Sequence, residues 1–549
     1  MPPPVDTVRL HETPEGIDLA LRVAGPAPRA VAYLLDVLIR FALLLVVLPL
    51  AAFAGFGTGL ILLAVFGLEW LYPVVFEVRS GATPGKRIMG LLVMHEDGTP
   101  VRLPASMIRN LLRVVDFLPM LYGVGLVSML VDRDFRRLGD LAAGTLVVYA
   151  DSPPAKPSIP QVAPQAPPAG LSVEAQQAIL AFAERGHAVS EARRIELAEI
   201  LAGSVGQRRA AGRGRGCAGQ RLGRMACARR GEGARMKQDA FEAAASPIWT
   251  DYRAMLDALE NPRQRRARAP DLTSFPQLHR RLCCDYALAR SRRYSPGLIA
   301  ELEVLVRRGH RQLYRRRSAP LRSVLHFMAK QFPLTLRRHS TVFWIAAALF
   351  FLPMIGMGIA VHQDADLVYS LLDAEQVAEL ESLYDPARHT PGRAGERQAD
   401  TDVAMFGFYV MNNVGIGFRT FAGGLILGLG SLVILLVNGL SIGAVAGHLT
   451  RLDYGHTFWP FVSGHGPYEL TAIAICGAAG LLLGQALLAP GQRTRLAALR
   501  ATARDAVILV GGAAVLLVFA AVIEAFWSAG AAPSVLKYGV GVLGWILVA

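Results

Sequence analysis

Charged side chains are scarce in this sequence. Asp, Glu, Lys and Arg make up 18% of its 549 residues, whereas a typical soluble domain contains about 25%. Hydrophobic residues reach 53%, and the mean hydropathy is +0.36. These values exclude an ordinary soluble protein and favour a chain that enters a membrane several times.

Cysteine is rare as well. The five cysteines have no spacing typical of a zinc site or a disulfide framework; they are Cys217, Cys227, Cys283, Cys284 and Cys476. Cys283 and Cys284 are adjacent in a basic helical segment, which indicates reduced thiols facing the cytoplasm.

Motifs of nucleotide and hydrolytic chemistry are incomplete or lack the context that their chemistry needs. The stretch SGATPGKRIMGLL (80–92) fits a phosphate-binding loop only in part, because that motif requires G-x-x-x-x-G-K-[ST]. Ser80 stands where the first glycine is needed, and Arg87 stands where the hydroxyl residue is needed. HExxH is absent. GxSxG occurs at 439–443 and GxGxxG occurs at 214–219 and 539–544, but none of these stretches follows a predicted strand and opens a helix, as the chemistry requires. We therefore expect no enzyme activity, no cofactor and no metal site.

Apolar blocks of about 20 residues, the length needed to span a membrane, recur along the chain. The clearest are 41–53, 59–76, 341–361, 420–447, 468–489, 504–527 and 533–549. The first 25 residues are polar and mixed, so we expect no cleavable signal peptide. The pattern predicts an all-α polytopic membrane protein.

The net charge of +14 would suggest nucleic-acid binding in a soluble protein. Here Lys and Arg lie mostly between apolar blocks, as expected when basic loops stay on the cytoplasmic side. We expect membrane lipids as partners, and no nucleic acid. The N-terminus and residues 236–340 are predicted to be cytoplasmic.

Composition divides the chain into four regions. Residues 1–150 hold a first membrane unit, and 341–549 hold a second. Between them lie a linker region (151–235) and a polar helical region (236–340). The linker region begins with seven prolines in 153–168, a composition that favours extended polyproline II.

Residues 204–235 differ from the rest, with nine Arg, eight Gly and one acidic residue and no helical or strand periodicity. One interpretation is a disordered basic tether near an anionic membrane surface. The alternative is a shifted reading frame of GC-rich DNA that joins two neighbouring reading frames. Translation of this segment decides between them.

The first membrane unit is predicted to cross about twice. Blocks 31–53 and 59–76 form a helical hairpin flanked by basic residues. The block 111–131 has basic residues on both sides, which favours a re-entrant or interfacial segment over a full crossing. Segments 88–94 and 143–149 are expected to pair as short strands.

The second unit is predicted to cross five or six times. Residues 362–402 carry ten acidic residues against three Arg and are expected outside, whereas the basic loop 490–504 is expected inside. Residues 403–419 either cross, which gives six helices, or lie in the interface, which gives five. We favour six.

Four motifs in the first unit resemble the RDD family of bacterial membrane proteins. They are PRAVAYLLDVLIR (28–40), GATPGKRIMGLLVMHEDGTPV (81–101), MIRNLLRVVDFLP (107–119) and RRLGDLAAGTLVV (136–148). Arg29 and Asp36 match the arginine and the first aspartate of the family name, and Asp140 is the candidate for the second. The resemblance implies a membrane protein for which transport of ions or small ligands has been proposed.

Residues 236–549 resemble the stage II sporulation protein M family. The matching pieces are FYVMNNVGIGFRTFAGGLILGLGSLVILLVNGLSIG (408–443), HGPYELTAIAICGAAGLLLGQALL (465–488) and VIEAFWS (522–528). The resemblance implies a multi-pass protein of the bacterial cytoplasmic membrane and a link to complexes that remodel peptidoglycan. It also implies membrane-protein partners or a homo-oligomer.

Ionisable residues at membrane depth are the candidate functional residues of the first unit. Arg29 and Asp36 share a helix face, and Arg40 lies one turn beyond Asp36. The alternative is that Asp36 pairs with Arg40 or Arg29 and only orients the helix. Asp116 and Asp140 are expected to complete a polar cluster, unless Asp140 caps a helix or pairs with a neighbouring arginine.

In the second unit the candidates are Asn413, Asn438, His465, Glu469 and Glu524. His465 and Glu469 are four residues apart at a helix start, a spacing that allows one shared ligand or proton. The alternative is that these polar residues form hydrogen bonds between packed helices. Regularly spaced glycines indicate close helix contacts.

The stretch 80–92 has a different interpretation beside its neighbours. Thr83 is predicted to be a helix N-cap, with Pro84 in the first turn. Lys86 and Arg87 are then expected at the cytoplasmic membrane surface, in contact with lipid headgroups.

Two functions follow from these features. The first is a scaffold or assembly component of an envelope-remodelling membrane complex. The alternative is an ion or small-ligand transporter that uses intramembrane Asp, Glu and Arg residues.

Overall fold

The computed structural model describes most of the chain as helices. The described residues are 8–14, 18–53, 57–119, 122–150, 182, 195–200, 232–260, 273–314, 324–387 and 399–549. Within these described residues, six helices are long and apolar enough to cross a membrane, which confirms the prediction of an all-α polytopic membrane protein. The proline-rich stretch 153–168 and most of the basic segment 204–235 lie outside the described residues.

The first unit begins with the predicted hairpin. Helix α1 (Pro26–Phe53) is followed by α2 (Gly57–Phe66), which continues through a π segment (Gly67–Leu71) into α3 (Tyr72–Ser80). Both arms are among the candidate membrane spans. An α-helix of this length is sufficient to cross the hydrocarbon core.

The third apolar block is broken, as the sequence predicted. Residues 111–131 form α6 (Arg113–Asp116) and α7 (Gly123–Val131), and α5 (Leu103–Leu111) precedes them. Helix α7 has nine residues, about half of the length needed to cross. Its apolar side chains are largely exposed, with Val131 at 81%. These features fit a segment that enters the membrane without crossing it.

Two β-hairpins accompany the helices of the first unit. Strands β3 (Leu91–His95) and β4 (Thr145–Tyr149) pair antiparallel, with Val93 opposite Val147, which confirms the predicted pairing. A second hairpin, β1 (Val8–Glu12) with β2 (Asp18–Arg22), was not predicted. The short helices α4 (Pro84–Ile88) and α8 (Leu138–Ala143) lead into β3 and β4.

The polar helical region forms three helices around one apolar core. They are α9 (Glu232–Glu260), α10 (Phe275–Ser291) and α11 (Pro296–Leu313). Tyr252 is fully buried, and its hydroxyl lies 2.7 Å from Nδ1 of His279. Nε2 of His310 lies 3.2 Å from the carbonyl oxygen of Asp97, so this domain contacts the first unit.

The second unit is a helical bundle. Its helices are α12 (Phe332–Arg338), α13 (Ser340–Gln363), α14 (Ala374–Tyr384), α15 (Ala399–Tyr409), α16 (Gly415–Gly423), α17 (Leu429–Arg451), α18 (Gly455–Ser463), α19 (Gly466–Leu488), α20 (Arg495–Ile523) and α21 (Ser534–Val548). Helices α13, α17 and α19, and α20 extended to Ser528, are candidate membrane spans.

The predicted count of five or six crossings depends on two further helices. Helices α15 and α16 are continuous through a π segment (Val410–Val414), and the resulting 399–423 is long enough to cross. Helix α21 has only 15 residues.

Glycines let the backbones of α13 and α17 touch, as the sequence predicted. A Cβ added at Gly439, Gly443 or Gly447 would lie 2.1–2.4 Å from a carbonyl oxygen of α13. No side chain fits at such distances, so only glycine permits this approach.

Candidate functional site

Asp36 organises the turn that connects α3 to α4. Its carboxylate accepts hydrogen bonds from the Gly85 amide (2.8 Å), the Tyr72 hydroxyl (2.8 Å) and the Thr83 hydroxyl (2.5 Å). A Cβ at position 85 would lie 2.3 Å from the carbonyl oxygen of Ala32, so glycine is needed there. The turn that resembles a phosphate loop therefore wraps around a carboxylate of its own chain.

The expected ion pair of Asp36 with Arg40 or Arg29 is wrong. The Arg40 guanidinium pairs with Glu69 at 2.8 Å, and the Arg29 guanidinium pairs with Asp140 at 2.5 Å. The Asp36 carboxylate is instead bound by neutral donors, since α3 supplies the Tyr72 hydroxyl and the start of α4 supplies the Thr83 hydroxyl and the Gly85 amide.

Asp140 is the centre of a buried group of charges that we name the charge cluster. Its members are the cations Arg29, Lys86, Arg109 and Arg137 and the carboxylates Glu77, Asp116 and Asp140. The structure thus brings Arg29, Asp116 and Asp140 together as predicted and leaves Asp36 in the adjacent turn. Asp140 also caps α8, where its carboxylate accepts from the Arg137 amide at 3.3 Å.

Glu77 contacts two cations of the charge cluster. It pairs with Lys86 at 2.5 Å and faces Arg109 at 3.6 Å. It also accepts 2.9 Å hydrogen bonds from the Ser106 hydroxyl and the Asn110 side-chain amide. A fully buried carboxylate with this many donors is stabilised in its charged form.

Burial and the charges of the cluster act against each other, and the outcome differs between Asp140 and Asp116. Although burial raises the pKa of Asp140, Arg109, Arg29 and Arg137 together hold it well below its usual range. Burial raises the pKa of Asp116 to about 6, since Arg137 compensates only in part from 3.6 Å. Asp140 is therefore the fixed anion of the cluster, and Asp116 is a carboxyl group that titrates in a mild pH range.

The sequence did not identify Glu77 or Arg109 as members of the charge cluster, and it predicted that Lys86 lies at the membrane surface. Glu77 stands at the end of an apolar block, and Arg109 is part of a basic flank, so both suggested membrane-surface residues. The side chain of Lys86 is 17% exposed and forms an ion pair with Glu77. The predicted contact of Lys86 with lipid headgroups is therefore replaced by an ion pair inside the protein. Arg87 is exposed, and its headgroup contact stays a prediction. Thr83 caps α4 as predicted.

A second site lies where α19 begins and α20 ends. His465 is the N-cap of α19, and Glu469 follows one turn later. Glu524 opens the π segment Glu524–Ser528, a helix irregularity that is frequent at functional sites. Nε2 of His465 lies 4.0 Å from Oε2 of Glu469 and 3.9 Å from Oε1 of Glu524. We name these three residues the His–Glu–Glu site.

Neighbouring polar groups surround the His–Glu–Glu site. Nδ1 of His465 lies 3.1 Å from the Ser528 hydroxyl, and the Lys537 ammonium donates to the Ser528 carbonyl at 2.7 Å. Tyr409 donates a hydrogen bond to the Glu524 carboxylate. Burial and the two glutamates raise the pKa of the nearby Tyr384. Spacing along the sequence indicated only the pair His465 and Glu469. Glu524 belongs to another helix and lies close to them only because the helices pack together.

The two predicted asparagines form local contacts. The Asn438 amide donates to the Ile434 carbonyl in the same helix at 2.8 Å. Asn413 accepts from its neighbour Asn412 at 2.9 Å. The Asn438 contact lies within one helix, so it is not the predicted hydrogen bond between packed helices.

Family comparisons match three parts of the chain. Residues 23–144 match the RDD family, residues 347–529 match stage II sporulation protein M, and residues 239–315 match a domain of unknown function (DUF8413). The last match covers the three-helix region. The sequence resemblance had assigned this region, together with the second unit, to the stage II sporulation protein M family. Neither curated proteins nor solved structures include a match.

Proposed function

We propose that this chain, which carries an RDD family domain and a stage II sporulation protein M domain, is an assembly component of a membrane complex. In this role it lies in the bacterial cytoplasmic membrane and takes part in envelope remodelling. Its two membrane units act as one body, and its three-helix region is held at the cytoplasmic side for partners.

The observation that carries the proposal is an apolar core shared by both membrane units. Leu112 of the first unit and Phe418 of the second belong to the same buried cluster. The Trp70 and Phe418 rings lie 4.9 Å apart, edge to face, a favourable aromatic arrangement. A shared core of this kind supports a single rigid body, because interior packing resists sliding.

Backbone contact between the units adds to this core. A Cβ at Gly59 in α2 would lie 2.2 Å from the carbonyl oxygen of Val403 in α15, and a Cβ at Gly407 would lie 2.6 Å from the Gly59 carbonyl oxygen. Two helices from different units therefore touch at glycines, as tightly associated membrane helices do.

The partners of Asp36 and Asp140 count against a transport pathway through the first unit. Asp36 accepts three hydrogen bonds, and Asp140 faces three arginines. An ion that replaced the arginine partners of Asp140 would leave buried guanidinium groups without counter-charge, at a cost of several kcal/mol. Both aspartates are better suited to fix the fold of the unit than to carry ions.

Transport is the second candidate function, and the His–Glu–Glu site favours it. Ionisable residues buried in a membrane bundle are frequent in ion and proton pathways. Flux measured with the purified full chain in proteoliposomes separates this candidate from the assembly role.

The assembly proposal is tested on complexes extracted from native membranes with a mild detergent. Wild type is expected to migrate well above its 59.1 kDa mass in native electrophoresis. Gly59→Ala is expected to disperse that complex at an unchanged level of the chain. Gly67→Ala is the matched control, because a Cβ there meets nothing within 4 Å. A monomeric wild type, or equal complexes in both variants, would contradict the proposal.

A further inference from the structure

We propose that the His–Glu–Glu site binds one divalent transition-metal cation of the Zn²⁺ or Mn²⁺ class. The cation ties the start of α19 to the end of α20. This inference is independent of the assembly role, because a structural ion serves a scaffold and a transporter alike.

The spacing of the three side chains fits one shared ion. One ligand atom from each residue lies within 4.8 Å of the other two. Two ligands that bind a metal at about 2.0–2.2 Å each lie at most about 4.4 Å apart. The 3.9 Å and 4.0 Å distances from the His465 imidazole already lie within that limit. Small rotations of the glutamates bring all three into coordination.

The imidazole is held in the orientation that a metal ligand needs. Nδ1 of His465 lies 3.1 Å from the Ser528 hydroxyl. With the proton on Nδ1, this group donates to Ser528, and the lone pair on Nε2 faces both glutamates. Hydrogen bonds of this kind orient the histidines of metal sites. Ser528, the last residue of the π segment, thus positions a ligand at the start of α19.

Burial gives the second, independent indication of a ligand. Glu524 is 8% exposed, His465 is 5% exposed, and Oε2 of Glu524 has no hydrogen-bond partner among the described residues. A buried carboxylate oxygen without a partner is costly. A divalent cation supplies the missing contact and balances the charges of Glu469 and Glu524 together.

The donor set selects the class of ion. One imidazole nitrogen and two carboxylate oxygens suit zinc, manganese and similar transition metals better than calcium or magnesium, which prefer oxygen alone. Three protein ligands leave one tetrahedral position for a further donor.

Two other groups compete with a metal for the same role. The Lys537 ammonium, held by the Ser528 carbonyl at 2.7 Å, is a cation close to the site. A proton shared by the two glutamates is the other competitor. Either one would balance the charge of the glutamates without a metal. In that case the purified chain retains no stoichiometric metal.

Metal content of the purified full chain in detergent tests the proposal. After incubation with Zn²⁺ and removal of free ions, elemental analysis is expected to find about one Zn²⁺ per chain. Glu524→Gln and Glu469→Gln are expected to reduce it at least tenfold. Glu381→Gln is the matched control, because Glu381 pairs with His448 at 2.8 Å with its side chain 40% exposed. Metal absent from wild type, or equal in all variants, overturns the proposal.

Two measurements remain decisive if the glutamate variants fail to fold. Ser528→Ala keeps all three ligands and is expected to weaken Zn²⁺ affinity by about 10–100-fold. Pulsed electron paramagnetic resonance of Mn²⁺ bound to wild type is expected to show coupling to one imidazole nitrogen. Unchanged affinity in Ser528→Ala together with Mn²⁺ that lacks nitrogen coupling overturns the assignment.

Discussion

Glu96 and Arg500 form an ion pair between the two membrane units, although 404 positions separate them in the sequence. Nη1 of Arg500 lies 3.1 Å from Oε2 of Glu96, and its Nε donates to the Leu141 carbonyl at 3.1 Å. Arg500 and neighbouring arginines hold the pKa of Glu96 below its usual range. The connection joins the turn after β3 to the start of α20.

Loss of this ion pair is expected to weaken the association of the units modestly. Both side chains are partly solvated, so Arg500→Ala and Glu96→Ala should couple by about 1 kcal/mol in a double-mutant cycle. Unfolding of the full chain in detergent measures this coupling. Glu375→Ala, at an exposed position of the first turn of α14, is the control. Strictly additive effects would contradict a direct interaction.

Substitution of Gly85 by alanine is expected to disrupt the turn around Asp36. The new Cβ would lie 2.3 Å from the Ala32 carbonyl oxygen and 2.9 Å from the Asp36 side chain, so α1 and α4 must separate. We expect a loss of about 2–4 kcal/mol in the free energy of unfolding, because overpacking adds to the lost hydrogen bond. Thermal unfolding in detergent is the measurement. Gly25→Ala is the control, since its Cβ meets nothing within 4 Å, and an equally destabilised control would refute the steric explanation.

Asp116 is expected to make stability depend on pH. Its pKa of about 6 in the folded chain is above the ordinary value of 3.8, so the folded state holds its proton more tightly than the unfolded state. The unfolding free energy should therefore fall as pH rises from about 4 to about 6, by up to about 3 kcal/mol. Above that range the contribution is constant.

Asp116→Asn tests this pH dependence. Asp140 contributes in the opposite sense at low pH, because its pKa is lowered, but it is present in both proteins and cancels in their difference. The variant minus wild-type stability is expected to increase between pH 4 and pH 6 in chemical unfolding experiments. A flat difference would show that Asp116 titrates near its ordinary pKa.

The three-helix region is expected to depend on the hydrogen bond between Tyr252 and His279. Tyr252→Phe removes the hydroxyl that lies 2.7 Å from Nδ1 of His279, which is 1% exposed. Loss of a buried hydrogen bond to an imidazole costs about 1–3 kcal/mol. Hydrogen exchange of α9–α11 is the measurement, with Tyr369→Phe at an exposed position as the control. Unaltered exchange in these helices would contradict this role of Tyr252.

Local patterns predicted much of the fold. Apolar blocks located the hairpin α1–α3 and the long helices of the second unit, because hydrocarbon thickness determines their length. Thr83 and Pro84 specified the start of α4 through capping chemistry. The pairing of β3 with β4 followed from two short apolar segments.

Long-range contacts could not be read from such patterns. Arg29 meets Asp140 across 111 positions, and Glu524 approaches His465 from another helix. Both contacts depend on the tertiary packing of helices. The β1–β2 hairpin was missed because the first 25 residues were interpreted only as polar and mixed, although residues 8–11 alternate between apolar and polar side chains.

Ion flux through the purified full chain in proteoliposomes tests the central claim most directly. Vesicles carry a proton gradient or a gradient of monovalent or divalent cations. The account predicts no flux above that of protein-free vesicles, because Asp36 and Asp140 are engaged by their own partners. Flux in wild type above that of protein-free vesicles would contradict the account, and its loss in Asp36→Asn and Asp140→Asn would locate the pathway in the first unit.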